Sequence, residues 1–594
     1  MAGVRVALGF ANRAAIAENN LGFRLTEAYL ASEPDVRVER FFLTPELQAE
    51  HAARTASAGR RRAATRSGRE MPPAHERRAR GSARASRGTS AYLAAADLVL
   101  FSLSYEGDAP HVPLMLAAGG MPPAAGDRRR GHPLVVGGGA AVMINPEPLA
   151  RFFDLFLVGE AEALLSGFLA RWRAVRGAPR AEAIGALAGL PGAIAPWLRY
   201  HRCWREAGGR LSATDTVLLT DAAAAGERAD GRGGAPRVSA TPSSPACGGA
   251  GATVAPVHAD APVTTVSWDA ADARPRAARL SQATHFSESL LLELGRGCPR
   301  RCRFCVASRI YAPVRMHPVA ALSAHARAHS APGETVGLLS LSAGDHPGLA
   351  LLVADLCQSG RRLAISSLPA TFRQREAVRA LVASGAKTLT IAPETGSERL
   401  RALAGKPLAD DAIVRTVALL GAEGVRHLRT YFIIGLPFER DTDRAAIPAL
   451  LAAMRKRLPA TCRLSATVNI FVPKPHTPFQ WAPLAPLAEL RTAGERLRRE
   501  TPAGVSLKVK SARSARLHTA LTRGDCRWGS LLEQHAAGGG SLMTLLQQTT
   551  GGLEPLTGEL APTGRLPWGY LETAAQRRAL REEWETAARE AAVD

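Results

Sequence analysis

The 594-residue sequence predicts an α/β protein with an N-terminal doubly wound, Rossmann-like parallel sheet, a partial (β/α)6 barrel of the TIM type and a helical C-terminal region. Two observations support this: short apolar runs alternate with helical stretches over residues 1–180 and again over 286–485, as in parallel sheets with crossover helices. Residues 181–285 are predicted to connect these domains. Residues 486–594 are predicted to be mostly helical, with a Gly-rich break at 538–540.

Four buried strands are predicted in the N-terminal domain, at residues 4–9, 97–103, 132–137 and 154–158. Gly137-Gly-Gly139 ends the third run, and Gly159-Glu160-Ala-Glu162 follows the fourth. Open α/β sheets bind ligands at the carboxyl ends of their strands. The two segments therefore predict a ligand site, with tight turns as the alternative role for the glycines.

Two segments of low complexity interrupt this pattern. Residues 54–88 contain eleven Arg and two Glu, which supplies much of the formal net charge of +22. They show no periodic apolar face and are predicted to form a disordered basic insertion. Residues 222–262, rich in Gly, Ala, Pro and Ser, are predicted to be a flexible linker. The positive charge leaves RNA binding open as an alternative function.

The barrel is predicted from six strand-like runs separated by helical stretches such as Asp410–Glu423 and Arg440–Arg457. In barrels of this kind the active site lies at the carboxyl ends of the strands. The six predicted strands are Leu290–Leu294, Val336–Leu341, Leu363–Leu368, Thr388–Ala392, Leu428–Ile434 and Leu464–Val472.

Three cysteines, Cys298, Cys302 and Cys305, stand directly after the first of these strands in a C-x3-C-x2-C pattern. Three thiolates are one too few to saturate a four-iron cluster, so one iron stays open to a ligand that is not protein. Structural zinc is the alternative, but it requires four ligands. The other cysteines are scattered singly, and His317 is the nearest candidate for a fourth ligand. The motif therefore predicts a [4Fe-4S] cluster bound by the three cysteines.

This motif and its context resemble the radical S-adenosylmethionine (SAM) superfamily. The chain over roughly residues 1–550 resembles an uncharacterised group of that superfamily with an N-terminal cobalamin (B12)-binding-like domain. The matching phrases are Glu293-Leu-Gly-Arg-Gly-Cys298, Ala392-Pro-Glu-Thr-Gly-Ser-Glu-Arg-Leu400 and Gly435-Leu-Pro437. The resemblance implies that SAM binds the open iron and is cleaved reductively to a 5′-deoxyadenosyl radical. It also implies an electron donor such as flavodoxin or ferredoxin, and it leaves the substrate, a small molecule or RNA, undetermined.

The same resemblance implies five residues that contact SAM, whereas no residue is assigned a catalytic role. Phe304 corresponds to an aromatic near the adenine, and Gly435 allows the adenine to approach its strand. Ser342 lies in the segment that binds the SAM amino group. Ser366 is placed to meet the SAM carboxylate, and Glu394 to bind ribose hydroxyls or the SAM ammonium.

Several other polar residues at strand ends have two interpretations each. Asp345 and His346 face substrate or cap a helix. Ser397 is predicted to cap a helix. Glu439 belongs to the family segment that packs against adenine, or it starts the following helix. Lys474 and His476, in a proline-rich loop after the sixth strand, are predicted to contact substrate. These last two are the sequence's best candidates for substrate recognition.

The sequence argues against methylthiolation, which needs three further cysteines in the N-terminal domain, because residues 1–180 contain none. Two alternatives to an enzyme that cleaves SAM for an unknown substrate stay open. Cobalamin-dependent methylation is the first, and it requires cobalamin to bind without an axial His, because the loop at residues 10–22 contains no His. An RNA-binding protein with a structural cluster is the second.

The composition predicts a cytoplasmic protein with no membrane partner. No apolar run is long enough to span a bilayer, and the sequence does not begin with a charged-then-apolar signal pattern. A reducing compartment also suits free thiols and an iron–sulfur cluster.

Overall fold

A computed structural model describes residues 3–53, 55, 93–196, 266, 277–279, 289–548 and 553–593. The predicted linker at 222–262, and the predicted basic insertion except for residue 55, lie outside the described residues. RNA binding by that insertion therefore stays a prediction. None of the helices in the described part of the chain is long and apolar enough to cross a bilayer.

The N-terminal domain is a six-stranded sheet in the order β2-β1-β3-β4-β5-β6, parallel except for the pair β5–β6. Its strands are β1 (Val4–Phe10), β2 (Val36–Phe42), β3 (Leu98–Ser102), β4 (Leu134–Gly138), β5 (Leu155–Leu157) and β6 (Ala193–Ile194). All four predicted strands are present. β6 belongs to this sheet although it lies beyond residue 180, where the sequence analysis ended the domain.

Helices cover both faces of this sheet, and the C-terminal region packs on one of them. The domain contains α1 (Ala14–Ala17), α2 (Leu21–Ser32), α3 (His111–Ala118), α4 (Ala140–Ile144), α5 (Ala161–Val175) and α6 (Arg180–Ala188). Phe23 of α2 and Phe168 of α5 pack on one face, whereas Leu521 and Trp528 from the C-terminal region pack on the other. Burial on both faces explains why the central strands are almost wholly apolar.

The barrel consists of two four-stranded sheets, β7-β8-β11-β12 and β13-β14-β15-β16, which meet at a parallel bridge between Leu368 and Ile391. All six predicted strands are present and parallel to their sequence neighbours in the barrel. The eight strands of these sheets are β7 (Ala277–Arg279), β8 (Leu290–Glu293), β11 (Thr335–Leu339), β12 (Arg362–Ile365), β13 (Thr388–Glu394), β14 (His427–Ile434), β15 (Arg463–Ile470) and β16 (Val505–Val509). Between β8 and β11 in the chain, β9 (Gly295–Arg296) and β10 (Arg315–Met316) form a separate antiparallel pair. The parallel β16 extends the barrel beyond residue 485, the boundary expected from the sequence.

Helices alternate with these strands and continue into the C-terminal region. The barrel helices are α7 (Ala307–Ile310), α8 (Val319–His329), α9 (Leu349–Gln358), α10 (Arg375–Ala383), α11 (Glu398–Leu403), α12 (Asp410–Ala422), α13 (Asp441–Arg457) and α14 (Leu487–Glu500). The C-terminal helices are α15 (Ala512–Arg523), α16 (Trp528–Ala536), α17 (Leu542–Gln547), α18 (Glu554–Thr557) and α19 (Ala574–Val593). Helix α19 packs back onto the barrel, where Trp584 contacts Phe438 and Phe479.

Candidate functional site

The three cysteines lie on a loop that follows β8 at the carboxyl end of the barrel strands. All three thiols are free, and Cys302 is buried while the other two are half-buried. Gly297 has φ of +82°, and a Cβ there would lie 2.9 Å from the carbonyl oxygens of Tyr311 and Pro313. Only glycine allows this approach, which turns the chain sharply into the cysteine segment.

Two cations lie beside the thiols, each paired with a carboxylate from a strand end. Arg300 donates to both oxygens of Asp345, at 3.0 and 2.8 Å. The bond to Asp345 raises the pKa of Arg300, and Cys298 and Cys302 act in the same direction. Because three thiolates carry three negative charges, nearby cations are the environment that thiolate ligation of a cluster requires.

Lys406 is the second cation. Its Nζ donates to Glu394 Oε1 at 2.7 Å and to the carbonyl of Ala392 at 2.8 Å. Burial raises the pKa of Cys302 to about 12, while the charge of Lys406 acts to lower it. Lys406 therefore lies close enough to offset thiolate charge, and with Arg300 it makes the loop a suitable site for an iron–sulfur cluster.

Within the described residues, no three His, Cys, Asp or Glu side chains are arranged to hold a single metal ion. The thiolates of an iron–sulfur cluster bind different irons rather than converging on one.

Three of the predicted SAM residues, Ser342, Ser366 and Glu394, lie at or just after the ends of barrel strands. Glu394 ends β13 with φ of +75°, an unusual conformation for a non-glycine residue and one that occurs preferentially at functional sites. Ser366 is exposed at the end of β12 and donates to the carbonyl of Ser340 at 3.3 Å. Ser342 is buried, and its hydroxyl has no hydrogen-bond partner among the described residues. Phe304 packs in an apolar cluster that includes Trp584 of α19.

Gly435 ends β14 with φ of +79°, and its N–H donates to Glu439 Oε2 at 2.6 Å. Arg444 also donates to that oxygen at 2.6 Å, and burial raises the pKa of Glu439 to about 7. Glu439 therefore supports the turn at Gly435. The helix cap is Arg440, so the interpretation of Glu439 as a helix start was wrong.

Three other residues at strand ends, Ser397, Asp345 and His346, make contacts within the protein. Ser397 caps α11 by accepting from Leu400 N, as predicted. Asp345 pairs with Arg300 of the cysteine loop. His346 is buried, accepts from the N–H of Gly348 and contacts the carbonyl of His317 through Nε2.

Lys474 and His476 lie at a junction of three parts of the chain. Lys474 Nζ donates to Glu106 Oε1 at 2.6 Å and contacts His518 Nε2 at 2.8 Å. His476 contacts Glu572 Oε1 at 3.0 Å and the carbonyl of Ile144 at 2.9 Å. These contacts link the N-terminal domain, the barrel and the C-terminal region. Protein partners thus occupy the polar atoms that the sequence analysis assigned to substrate contact.

A cavity of about 430 Å³ lies between the N-terminal sheet and the cysteine loop. The carboxyl ends of β1, β3, β4 and β5 form one wall, including Gly137-Gly138-Gly139 and Gly159-Glu160. The ends of β8, β11 and β12 form the other, including Ser366 and the segment Gly295–Gly297 next to Cys298. The strand-end glycines predicted to mark a ligand site therefore line a cavity.

Buried ion pairs join the two walls. Arg315 of β10 donates to both oxygens of Glu160, at 2.8 and 2.7 Å, and their side chains are only 4% and 2% exposed. Arg296 donates to Glu162 at 3.0 and 2.6 Å and to Glu293 at 2.7 and 3.2 Å. The cysteine loop is thus fixed to the N-terminal domain by charge-assisted bonds.

Sequence reasoning missed Arg300, Lys406 and the ion pairs of Arg296 and Arg315. Arg is common throughout this chain, so no single Arg stood out. Lys406 follows Gly405 after a short helix, a pattern that is usual for a solvated surface. Only the tertiary fold brings these cations to the cysteines and to Glu160.

Two family models match the chain. The model described as "Radical SAM proteins, N-terminal" matches residues 69–196, and the model of the radical SAM superfamily matches residues 292–451. An uncharacterised protein of Methanocaldococcus jannaschii is 33% identical over 249 residues, which are 41% of this chain and 54% of that protein. The chain thus spans about half the length of this curated relative.

Two solved structures are similar at low sequence identity. The radical SAM methyltransferase TsrM from Kitasatospora setae, with cobalamin and a [4Fe-4S] cluster bound, is 14% identical, with a TM-score of 0.44 and coverage of 99% of both chains. The cobalamin-dependent SAM radical enzyme OxsB, with aqua-cobalamin and SAM bound, is 11% identical, with a TM-score of 0.43 and coverage of 100% of this chain and 80% of that one.

Proposed function

Because the chain belongs to the radical SAM superfamily, we propose that it is an enzyme that cleaves SAM reductively and directs the resulting radical at a substrate in the interdomain cavity. The observation that carries this proposal is the position of the cysteine loop. Gly295, Arg296 and Gly297 line the cavity, and Cys298 follows them immediately. Chemistry at the cysteines would therefore take place beside a partly open cavity.

Residues in and beside the cysteine loop have two roles: some bind the cluster, and others offset its negative charge. Cys298, Cys302 and Cys305 would hold the cluster, while Arg300 and Lys406 offset the negative charge of the thiolates. When bound, a [4Fe-4S] cluster supplies the electron for homolytic cleavage of SAM to methionine and a 5′-deoxyadenosyl radical.

Residues at the neighbouring strand ends would orient SAM. Glu394 offers a carboxylate to the SAM ammonium or ribose, and Ser366 offers a hydroxyl to the SAM carboxylate. Buried apolar side chains at the cavity wall, such as Leu100 and Leu157, would exclude water from a reactive intermediate. The substrate stays open, because a fold and a cofactor do not determine it.

The test compares Cys302→Ala with Cys357→Ala, which removes a half-buried thiol from α9, outside the site. Each protein is reconstituted anaerobically with iron and sulfide, reduced with dithionite and given SAM. We expect cluster iron and 5′-deoxyadenosine from the wild type and Cys357→Ala, and the loss of both from Cys302→Ala. No 5′-deoxyadenosine from the wild type, with unchanged iron in Cys302→Ala, would contradict the proposal.

A second proposal concerns the cavity itself: we propose that it binds cobalamin, which would make the enzyme a cobalamin-dependent methyltransferase. The cavity lies at the carboxyl ends of the N-terminal strands, where such sheets bind cofactors. Its wall is mainly apolar and contains the backbone of Gly137–Gly139, and the cavity is partly open, so a ligand larger than its volume could extend beyond it. Its lining residues include no His, so cobalamin would be held without an axial imidazole.

Cobalt content and the absorption spectrum of protein purified from cobalamin-fed cells test this second proposal. The wild type is expected to contain about one cobalt per chain. Gly138→Leu would fill the cavity and lose the cobalt, whereas Gly126→Leu, at a position with open space around it, would keep it. Wild-type protein without cobalt would refute cobalamin binding and leave the first proposal intact.

A further inference from the structure

A buried arginine lies at the junction between the barrel and the C-terminal helices. Arg523, the last residue of α15, is only 2% exposed. Its Nη1 donates to the carbonyl of Ala482, just after the short helix Pro478–Trp481, at 3.1 Å. The side chain therefore reaches from α15 to the loop that follows the last predicted barrel strand.

The remaining edge of the Arg523 guanidinium has no protein partner. Nε and Nη2 are buried and make no hydrogen bond within the described part of the chain. Those two groups form the edge with which arginine binds the two oxygens of a carboxylate. Burial lowers the pKa of Arg523 to about 10, so the side chain is still charged at neutral pH. A buried cation without a counter-charge is strongly unfavourable.

Three more buried N–H donors nearby have no hydrogen-bond partner among the described residues: Gln480 Nε2, Trp481 Nε1 and Trp528 Nε1. Gln480 and Trp481 precede Ala482, and Trp528 Nε1 would lie only 2.1 Å from a Cβ placed on Gly524. The Gln480 amide is oriented by its oxygen, which accepts from His476 N and Trp568 Nε1. The unsatisfied atoms of Arg523, Gln480 and the two tryptophans are thus all donors. An unsatisfied acceptor in the adjoining network, Glu572 Oε2, lies 3.6 Å from Arg577 Nε.

Two other buried arginines, Arg361 and Arg401, have no unsatisfied donors. Arg361 is 6% exposed and has no acidic partner in the described chain, yet Nε, Nη1 and Nη2 all donate to oxygens of Ser330, Ser359 and Arg327. Arg401 is fully buried, and all three of its nitrogens also have acceptors. Arg309 and Arg399 each have one buried nitrogen without a hydrogen-bond partner, but both pair with a carboxylate. Among the described residues, Arg523 differs from them because it has two such nitrogens and no acidic partner.

We propose that this junction is a buried binding site for a small, singly charged oxyanion of the carboxylate or hydrogencarbonate type, held by the Nε–Nη2 edge of Arg523. Two coplanar oxygens match that edge. One negative charge balances the single guanidinium, and the amide and indole donors can supply further hydrogen bonds. The site requires neither the cluster nor SAM, so it is independent of the proposed function.

The test is thermal unfolding of the full-length protein, carrying its cofactors, in sodium gluconate, with sodium formate replacing gluconate at constant ionic strength. Formate is the probe because it is small, planar and singly charged, whereas gluconate is too large to be enclosed. We expect formate to raise Tm by on the order of 1–2 °C for each tenfold increase above its Kd. Crystals grown in formate should show a planar ligand at the Arg523 edge.

Two variants make the test specific. Arg523→Gln is expected to abolish the dependence of Tm on formate. Arg361→Gln, the control, should lower Tm but keep that dependence. If Arg523→Gln does not fold, Arg523→Lys replaces it, because lysine keeps the charge but lacks the two-pronged edge. A wild-type Tm insensitive to formate, or a formate effect that survives both Arg523 substitutions, would overturn the proposal.

Discussion

The cysteine loop is held from two sides, and the two supports differ in burial. On one side, Arg296 and Arg315 join it to Glu160 and Glu162 of the N-terminal domain, with all four side chains at most 13% exposed. On the other side, helix α19 offers only partly exposed partners. Because burial reduces screening by water, we expect the ion pairs on the two sides of this loop to contribute unequally to the free energy of unfolding.

The support from α19 consists of Arg–Glu pairs near the surface. Arg309 donates to both oxygens of Glu583, at 2.9 and 2.7 Å, and Glu583 is 29% exposed. Arg303 donates to Glu590 at 2.6 Å, and Glu590 is 47% exposed. Water and salt screen such pairs, whereas the pair of Arg315 and Glu160 is almost fully desolvated.

The largest expected effect is on the buried side. Glu160→Gln leaves Arg315 buried without its counter-charge and should lower the free energy of unfolding by about 3–5 kcal/mol. Denaturant unfolding measures this loss, and the EPR spectrum of the reduced, reconstituted protein should change because the loop is displaced.

The control for that variant is Asp154→Asn, which removes another buried carboxylate bound by two arginines, away from the cysteines. It should also destabilise the protein but leave the EPR spectrum unchanged. A loss below about 1 kcal/mol in Glu160→Gln would show that the two supports are equivalent.

The free energy of unfolding should depend on pH because of Asp108, a buried carboxyl group of the N-terminal domain. Asp108 follows Glu106, which binds Lys474, and burial raises the pKa of Asp108 to about 6 from 3.8. When folding raises the pKa of a carboxyl group, that group does not lower the free energy of unfolding at pH values below its pKa in the unfolded chain. As the pH rises, ionisation of the group lowers the free energy of unfolding, and this loss is complete above the pKa in the folded protein. The wild type should therefore lose about 3 kcal/mol between pH 4 and pH 7 from this group.

Asp108→Asn should remove that loss, so that its stability relative to the wild type rises from pH 4 to pH 7. Asp127→Asn, which changes an exposed carboxylate, should leave the pH profile as it is. Stability measured against pH by urea unfolding checks both variants. Identical profiles for Asp108→Asn and the wild type would be incompatible with a raised pKa.

The smallest effect is expected on the exposed side. Glu590→Gln should cost about 0.2–1 kcal/mol at low salt and less at 1 M salt, because the pair with Arg303 is screened. Urea unfolding at the two salt concentrations measures the difference. A salt-independent loss as large as that of Glu160→Gln would mean that α19 is a principal support.

The sequence predicted the central strands and the cysteine loop well because both have local signatures. Apolar runs are long where a strand is buried on both faces, as at β4, and the cysteine spacing is contained in eight residues. It missed β2 and β16 because they alternate charged or polar residues with half-buried ones. Such a pattern is weak when no neighbouring strand is known.

Contacts between distant segments lay beyond the sequence. Lys474 and His476 stand in a conspicuous loop, yet their partners Glu106 and Glu572 are far away in the chain, so these contacts could not be predicted from the loop itself. Their role as substrate contacts stays a prediction. The missing axial His argued against cobalamin, whereas the cavity depends on how two domains pack. Neither arrangement has a local pattern that a single sequence reveals.

The most direct test of the central claim, that the three cysteines hold a cluster with an iron open to SAM, is EPR spectroscopy. The anaerobically reconstituted, dithionite-reduced protein is measured with and without SAM. We predict the signal of a reduced [4Fe-4S] cluster and a clear change in its g values when SAM is added, because SAM then binds the open iron. A cluster signal that SAM leaves unchanged would contradict the account.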